Sequence, residues 1–127
     1  MPIEAWADGG CKNQQLASER AAYGSHKILV NDKVVSHVDR RPYGHDTANQ
    51  AEYKAVINCL HSLVKRNLLV ANINIDCAQV FGQLTGQNVC RAATLKPLYE
   101  MAREYLSKGT FTLVKRTDAE VKKVLGH

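Results

Sequence analysis

Apolar positions alternate with polar ones in some stretches of the chain and recur every three or four residues in others, and the two periods divide it into strands and helices. Ile3–Ala7 is short and apolar and ends at Asp8-Gly9-Gly10, which predicts a strand running into a turn. Ala21–Val30 and Lys33–Val38 carry β-branched residues around Asn31-Asp32, a hairpin signal. Arg40–Asp46, with Pro42 and Gly44, predicts a loop. Thr47 or Asn49 can cap a helix that runs to about Arg66, in which Ala55, Cys59, Leu60, Leu63 and Val64 recur at helical spacing. Leu68–Ile75 is the most strand-like run in the chain, and it ends in Asp76. Ala78–Leu84 predicts a short helix. Thr94 then opens a second long one, with Leu95, Leu98, Met101, Ala102 and Tyr105 on one side and Pro97 in the first turn, where a missing N–H costs little. Thr110–Lys115 alternates like a strand. Thr117-Asp118-Ala119-Glu120 has the S/T-x-x-E form of a capping box, so a last helix fills Asp118–Leu125.

The order is three strands, a helix, a strand, one or two helices, a strand and a helix. A hairpin followed by alternating helices and strands predicts an α/β domain, residues 1–127, with a five-stranded mixed sheet carrying packed helices. Such a sheet can gather acids. Asp8 ends the first strand and Asp76 the fourth, so the two meet if those strands are parallel neighbours, at the carboxyl ends where open sheets place their ligand crevice. Glu52, in the first turns of the first long helix, can lean over the same edge. Clustered carboxylates repel one another unless cations lie between them. Mg²⁺ suits such a cluster because it takes hard oxygen ligands, and two ions about 4 Å apart could serve phosphodiester hydrolysis. Each acid also has an ordinary structural use: an Asp before Gly-Gly forms turns, an early helical Glu favours the dipole, and an Asp after a strand caps the next helix.

Composition narrows the partners. Apolar residues make up 45% of 127 residues, enough for one core, and 17 Lys and Arg against 12 Asp and Glu leave a formal charge of +5 that favours a polyanion. No apolar run approaches the roughly 20 residues needed to span a bilayer, and Met1-Pro2-Ile3-Glu4 lacks the basic and apolar regions of a signal peptide, so a cytoplasmic monomer is the expectation. Cys11, Cys59, Cys77 and Cys90 form no CxxC pair and are read as free thiols rather than as a zinc site or a disulfide framework.

Several segments resemble the type I ribonuclease H family across nearly the whole chain. Trp6-Ala7-Asp8-Gly9-Gly10 is similar to the family's first-strand motif, and Tyr23-Gly24 falls where its second strand has a small, Gly-containing segment. Thr47-Ala48-Asn49-Gln50-Ala51-Glu52-Tyr53 looks like the family's T-x-N-x-x-E motif, the most specific match. Ile75-Asp76-Cys77 falls where the family has Asp followed by Ser, and Leu95–Tyr99 resembles its L-x-x-L-[WY] helix. The resemblance implies a ribonuclease H-like fold with helices on both faces of the sheet (βββαβααβα). It implies cleavage of the RNA strand of an RNA–DNA hybrid with two Mg²⁺ ions, Mn²⁺ being the alternative. Asp8, Glu52 and Asp76 would be the catalytic metal ligands. Gly10, Asn13, Asn49 and Gln50 would lie near the hybrid, where amides can read the 2′-hydroxyl that separates RNA from DNA.

The chain departs from that pattern near its C-terminus. The family's fourth acid, early in the last helix, falls here on Lys122 or Lys123; Asp118 is the candidate substitute, Glu120 being explained by the capping box. Arg116-Thr117 leaves no room for the family's mobile His loop, and His127 is not read as its replacement. Thr85–Cys90 is too short for the basic lobe some members carry, so hybrid affinity would rest on scattered groups such as Lys12, Arg40, Arg41 and Arg91. A proofreading exonuclease would want Asp-x-Glu on the first strand, and Asp8-Gly9-Gly10 lacks the second acid. A strand transferase would want its Glu after Asp76. A binding module that has lost catalysis is the alternative that the missing fourth acid leaves open.

Overall fold

Asn31 and Asp32 both take the left-handed backbone, with φ of 50° and 64°, in the computed structural model, which describes residues 2–126. Two such residues make the tight turn that matches strand twist, so β2 (Ala21–Val30) folds back antiparallel on β3 (Lys33–Gly44). β1 (Ile3–Lys12) pairs antiparallel with the other edge of β2. Helix α1 (Ala48–Lys65) crosses to β4 (Val70–Ile75), which runs parallel to β1. After α2 (Ala78–Leu84) and α3 (Lys96–Leu106), β5 (Thr110–Lys115) returns parallel to β4, and α4 (Asp118–Leu125) follows. The sheet order is β3-β2-β1-β4-β5.

The strand period decides which face each helix covers. Ala5, Ala7, Ile28, Ile73 and Ile75 point into a core closed by Tyr53, Val56, Leu60 and Leu63 of α1 and Ala102 of α3. Burying side chains of the Leu or Ile class contributes about 1.5–3 kcal/mol each. Trp6 and Lys27 are cross-strand partners on the opposite face. There Lys27 donates from Nζ to the Val124 carbonyl of α4 at 2.8 Å, which places α4 across the sheet from α1. No helix among the described residues is long and apolar enough to cross a membrane.

Local patterns misplace several boundaries, each for a tertiary reason. β1 does not turn at Asp8-Gly9-Gly10 but continues to Lys12, with Asp8 opposite Ser25 and Gly9 opposite Gly24. The turn comes at Asn13, with φ of 56°. Arg40–Asp46 is not a loop; β3 runs on to Gly44 through a bulge between the pairs His26–Val38 and Gly24–Arg41, where Arg40 has φ of 50°. Leu68 lies before β4 rather than in it, because its N–H donates to the Leu63 carbonyl at 2.9 Å in the turn that closes α1. Thr47, not Asn49, caps α1, with Gln50 completing a capping box. Thr94 caps nothing: the chain enters α3 through a turn in which Leu95 and Lys96 both donate to the Ala92 carbonyl, with Pro97 in the first turn. Met101 is 48% exposed, since Leu98, Tyr99 and Tyr105 take the contacts with the core. His127, weighed above as a histidine-loop replacement, lies outside the described residues, as does Met1.

Candidate active site

Two parallel strand ends and one helix build the site. Trp6 stands beside Asn74 in the β1–β4 ladder, two residues before each acid, so Asp8 and Asp76 emerge at the same edge. Buried Asn74 fixes this junction, donating to the Ala5 carbonyl at 2.9 Å and accepting from Arg116 Nε at 2.8 Å. Arg116 lies 5.5 Å from the Trp6 ring centroid, so the β5–α4 link is tied to β1. Helix α1 meets β1 at Gly9, where a Cβ would stand 2.5 Å from the Ala51 carbonyl oxygen and still closer to the Glu52 nitrogen. Only glycine permits that approach. Gly9 N–H then donates to Glu52 Oε2 at 2.7 Å. Asp8, Glu52 and Asp76 each present an oxygen, and the three lie within 4.8 Å of one another.

This geometry is electrostatically costly. Glu52 is 3% exposed, and its second oxygen, Oε1, is buried with no hydrogen-bond donor. Burial, followed by the nearby Asp8 charge, pushes Glu52 well above the usual carboxylate range. Burial and then the charge of Asp76 raise Asp8 to about 7. Asp76 is raised as well, by burial and by its contact with Asp118. A buried oxygen without a donor, beside two further carboxylates, suits a hard divalent cation: it would supply the missing partner and remove the repulsion.

The fourth position is mixed. Asp118, exposed on the first turn of α4, adjoins Asp76 but pairs with Lys122 at 2.9 Å. That pairing, with its hydrogen bond first, lowers Asp118 and raises Lys122. Lys122 lines the same cleft as the three acids, while Lys123 does not. Glu120 is held by its capping box, accepting from Thr117 N–H at 3.0 Å, as the S/T-x-x-E pattern predicts.

The cleft around these groups has a volume of about 550 Å³. Asn49 lines it, and its Nδ2 donates to Gln79 Oε1 at 2.6 Å. Gln50 is engaged elsewhere, accepting from Thr47 N–H at 2.8 Å. Gly10 lies under Tyr23, whose hydroxyl would be 2.5 Å from a Cβ there. Asn13 is in the turn after β1 and donates to the Glu19 carbonyl at 3.3 Å. Arg40 reaches the cleft; Arg41 lines a different one, Lys12 lines a neighbouring apolar pocket, and Arg91 is exposed in the link before α3. Tyr23 and Cys77 also line the site, and the sequence reading missed them as lining residues; Tyr23 was legible only through its register opposite Gly10. All four cysteines are free.

A family described as reverse transcriptase-like matches residues 7–125. No curated protein matches. Solved structures do match in fold. The ribonuclease H1 of the halophilic archaeon Halobacterium salinarum NRC-1 superposes with a TM-score of 0.85 at 22% identity, over 96% of this chain and 90% of that one. An N-terminal ribonuclease H domain from Mycobacterium tuberculosis, solved as a maltose-binding-protein fusion, gives 0.86 at 22% identity over 96% and 92%. LC11-RNase H1 in complex with an RNA/DNA hybrid gives 0.83 at 17% identity over 95% and 89%.

Proposed function

The chain belongs to the reverse transcriptase-like family and carries the ribonuclease H fold, and from that premise we propose that it hydrolyses the RNA strand of RNA–DNA hybrids. The observation that carries the reading is the convergence of Asp8, Glu52 and Asp76 within 4.8 Å, with Glu52 Oε1 buried and undonated. These three would hold divalent cations, Mg²⁺ or Mn²⁺, two in the full reading; the ions would supply an activated water and stabilise the leaving oxygen. The chain's own groups do the rest. Gly9 N–H fixes the Glu52 carboxylate, Asn74 holds the two acidic strand ends together, and Arg40 and Lys122 place positive charge on the rim where phosphates would lie. Asn49, locked by Gln79, presents its amide beside Glu52, suited to a minor-groove 2′-hydroxyl. A structural relative bound to an RNA/DNA hybrid supports that choice of substrate.

Lys122 favours one second reading: a hybrid-binding protein with weakened catalysis, because a cation stands among the acids and holds Asp118. Labelled RNA–DNA hybrid, double-stranded RNA, double-stranded DNA and single strands, each with Mg²⁺, Mn²⁺ or EDTA, separate the two. Metal-dependent cleavage of hybrid RNA alone is expected. Hybrid binding without cleavage in either metal would establish the second reading, and equal rates on double-stranded DNA would refute both.

A further inference from the structure

A second polar cleft, of about 520 Å³, lies between the later half of α1 and the edge strand β3, away from the acids. Its chemistry is the reverse of theirs. Arg41, Lys65 and Arg66 line it, and no carboxylate does. Its hydroxyls are ordered: Ser62 Oγ donates to Ser36 Oγ at 3.3 Å and accepts from Arg66 Nε at 3.1 Å, which aims the guanidinium along the cleft. At its base is His26, on β2 and on the same sheet face as Ala7. His26 is 3% exposed, and its Nε2 is buried with no hydrogen-bond partner. An unsatisfied buried ring nitrogen is costly, and here its residue lines a cleft of cations with no carboxylate. Asn58 and His61, also on the wall, are held by Tyr43 and Tyr105.

The β3 bulge links this cleft to the first. Ser25 accepts from Arg40 N–H at 2.8 Å at the bulge, and the two successive arginines point to opposite sides of the strand, Arg40 to the acid cleft and Arg41 to the basic one. We propose that the basic cleft is a phosphate-binding site, in which Arg41, Lys65 and Arg66 neutralise the anion, Ser62 orients Arg66, and His26 Nε2 donates from the floor. The phosphate belongs either to a nucleic-acid strand continuing past the acid cleft or to a free phosphate compound. The site does not depend on the nuclease reading, since a protein that cuts nothing could still bind phosphate here.

The test is a nuclear magnetic resonance titration of the metal-free full chain, first with inorganic phosphate and then with an RNA–DNA hybrid. Saturable shifts at the His26 ring and the Ser62 amide are expected with phosphate. Arg66→Gln and Arg41→Gln, both at exposed positions, should each weaken binding by about tenfold, the loss of one charge-assisted contact. Lys123→Gln, on α4, should not change it. If the hybrid moves the same signals, and Arg66→Gln also makes its salt dependence shallower by about one contact, the source is a nucleic-acid strand. If the hybrid binds without moving them while phosphate does, the source is a free phosphate compound. No response at His26 and Ser62 to either probe, or a response unchanged in Arg66→Gln, overturns the site. Hybrid cleavage measured on the same variants keeps that failure apart from failure of the nuclease reading.

Discussion

Replacing Asp76 by Asn separates charge from shape, because the amide fills the same space beside Asp8 and Asp118. Hybrid cleavage should vanish. The metal-free protein should become more stable by on the order of 1 kcal/mol, since one of three mutually repelling carboxylates is gone. Cleavage assays and urea titrations check both, and a variant that loses stability would argue against the repulsion described here. Lys122 is the residue that distinguishes this site. Its ammonium competes with a cation for Asp118, so Lys122→Gln should free that carboxylate and tighten metal binding by about tenfold, the scale on which outer groups tune metal sites. Asp118→Asn should weaken binding if Asp118 reaches an ion through water. Calorimetric titration with Mg²⁺ and Mn²⁺ measures each variant without relying on turnover. Curves for both variants that overlay the parent would remove Asp118 and Lys122 from the site and leave a three-carboxylate centre.

The helix starts show what local patterns contain. Thr47 with Gln50 and Thr117 with Glu120 form capping boxes that are complete within four residues, so both are readable from the chain. Thr47→Ala should cost about 1 kcal/mol in urea unfolding and loosen the first turn that carries Glu52. Gly9→Ala should cost more, and it should also weaken metal binding, because α1 must retreat from β1 and carry the Glu52 carboxylate with it. A variant of normal stability and metal affinity would show that the approach is not as close as described. Gly9 also marks where sequence reading fails. Asp-Gly-Gly carries a turn signal, yet Gly9 serves a helical residue 43 positions away and Gly10 lies under Tyr23, and no local pattern encodes either approach. The β3 bulge was hidden likewise: Pro42 and Gly44 read as loop, while pairing with β2 holds them in the sheet. The meeting of Asp8 and Asp76 was legible because it needs only two parallel strand ends. The Asp118–Lys122 pair has the i,i+4 spacing of a helix, but its place over Asp76 depends on how α4 crosses the sheet.

Across the whole molecule, two buried titrating centres pull the pH dependence in opposite directions. Asp8 is raised from 3.8 to about 7, and Glu52 and Asp76 are raised with it. Between the unfolded and folded values the native state holds more protons, so these acids lower metal-free stability as pH rises from about 4 to 7. His26 is lowered from 6.5 to about 4, first by burial and then by Arg41. In that window the unfolded chain binds more protons, so His26 removes stability as pH falls from 6.5 toward 4. Below about 6.5 His26 offsets the equivalent of one of the three acids, and above it only the acids still titrate. The metal-free protein should therefore gain stability from pH 7.5 to 6.5 and go on gaining, on a shallower slope, down to about pH 5. His26→Gln removes the opposing arm, and its stability should rise more steeply than the parent's over that lower range, whatever the substitution costs in absolute terms. Mg²⁺ binds the ionised acids, so its stabilisation should be larger at pH 7.5 than at pH 5.5. Denaturant titrations across pH, with and without Mg²⁺, give all the slopes. A metal-free His26→Gln whose stability is flat between pH 7.5 and 5 would mean that the three carboxylates do not share a desolvated site, and the proposal of bound cations would fall with it.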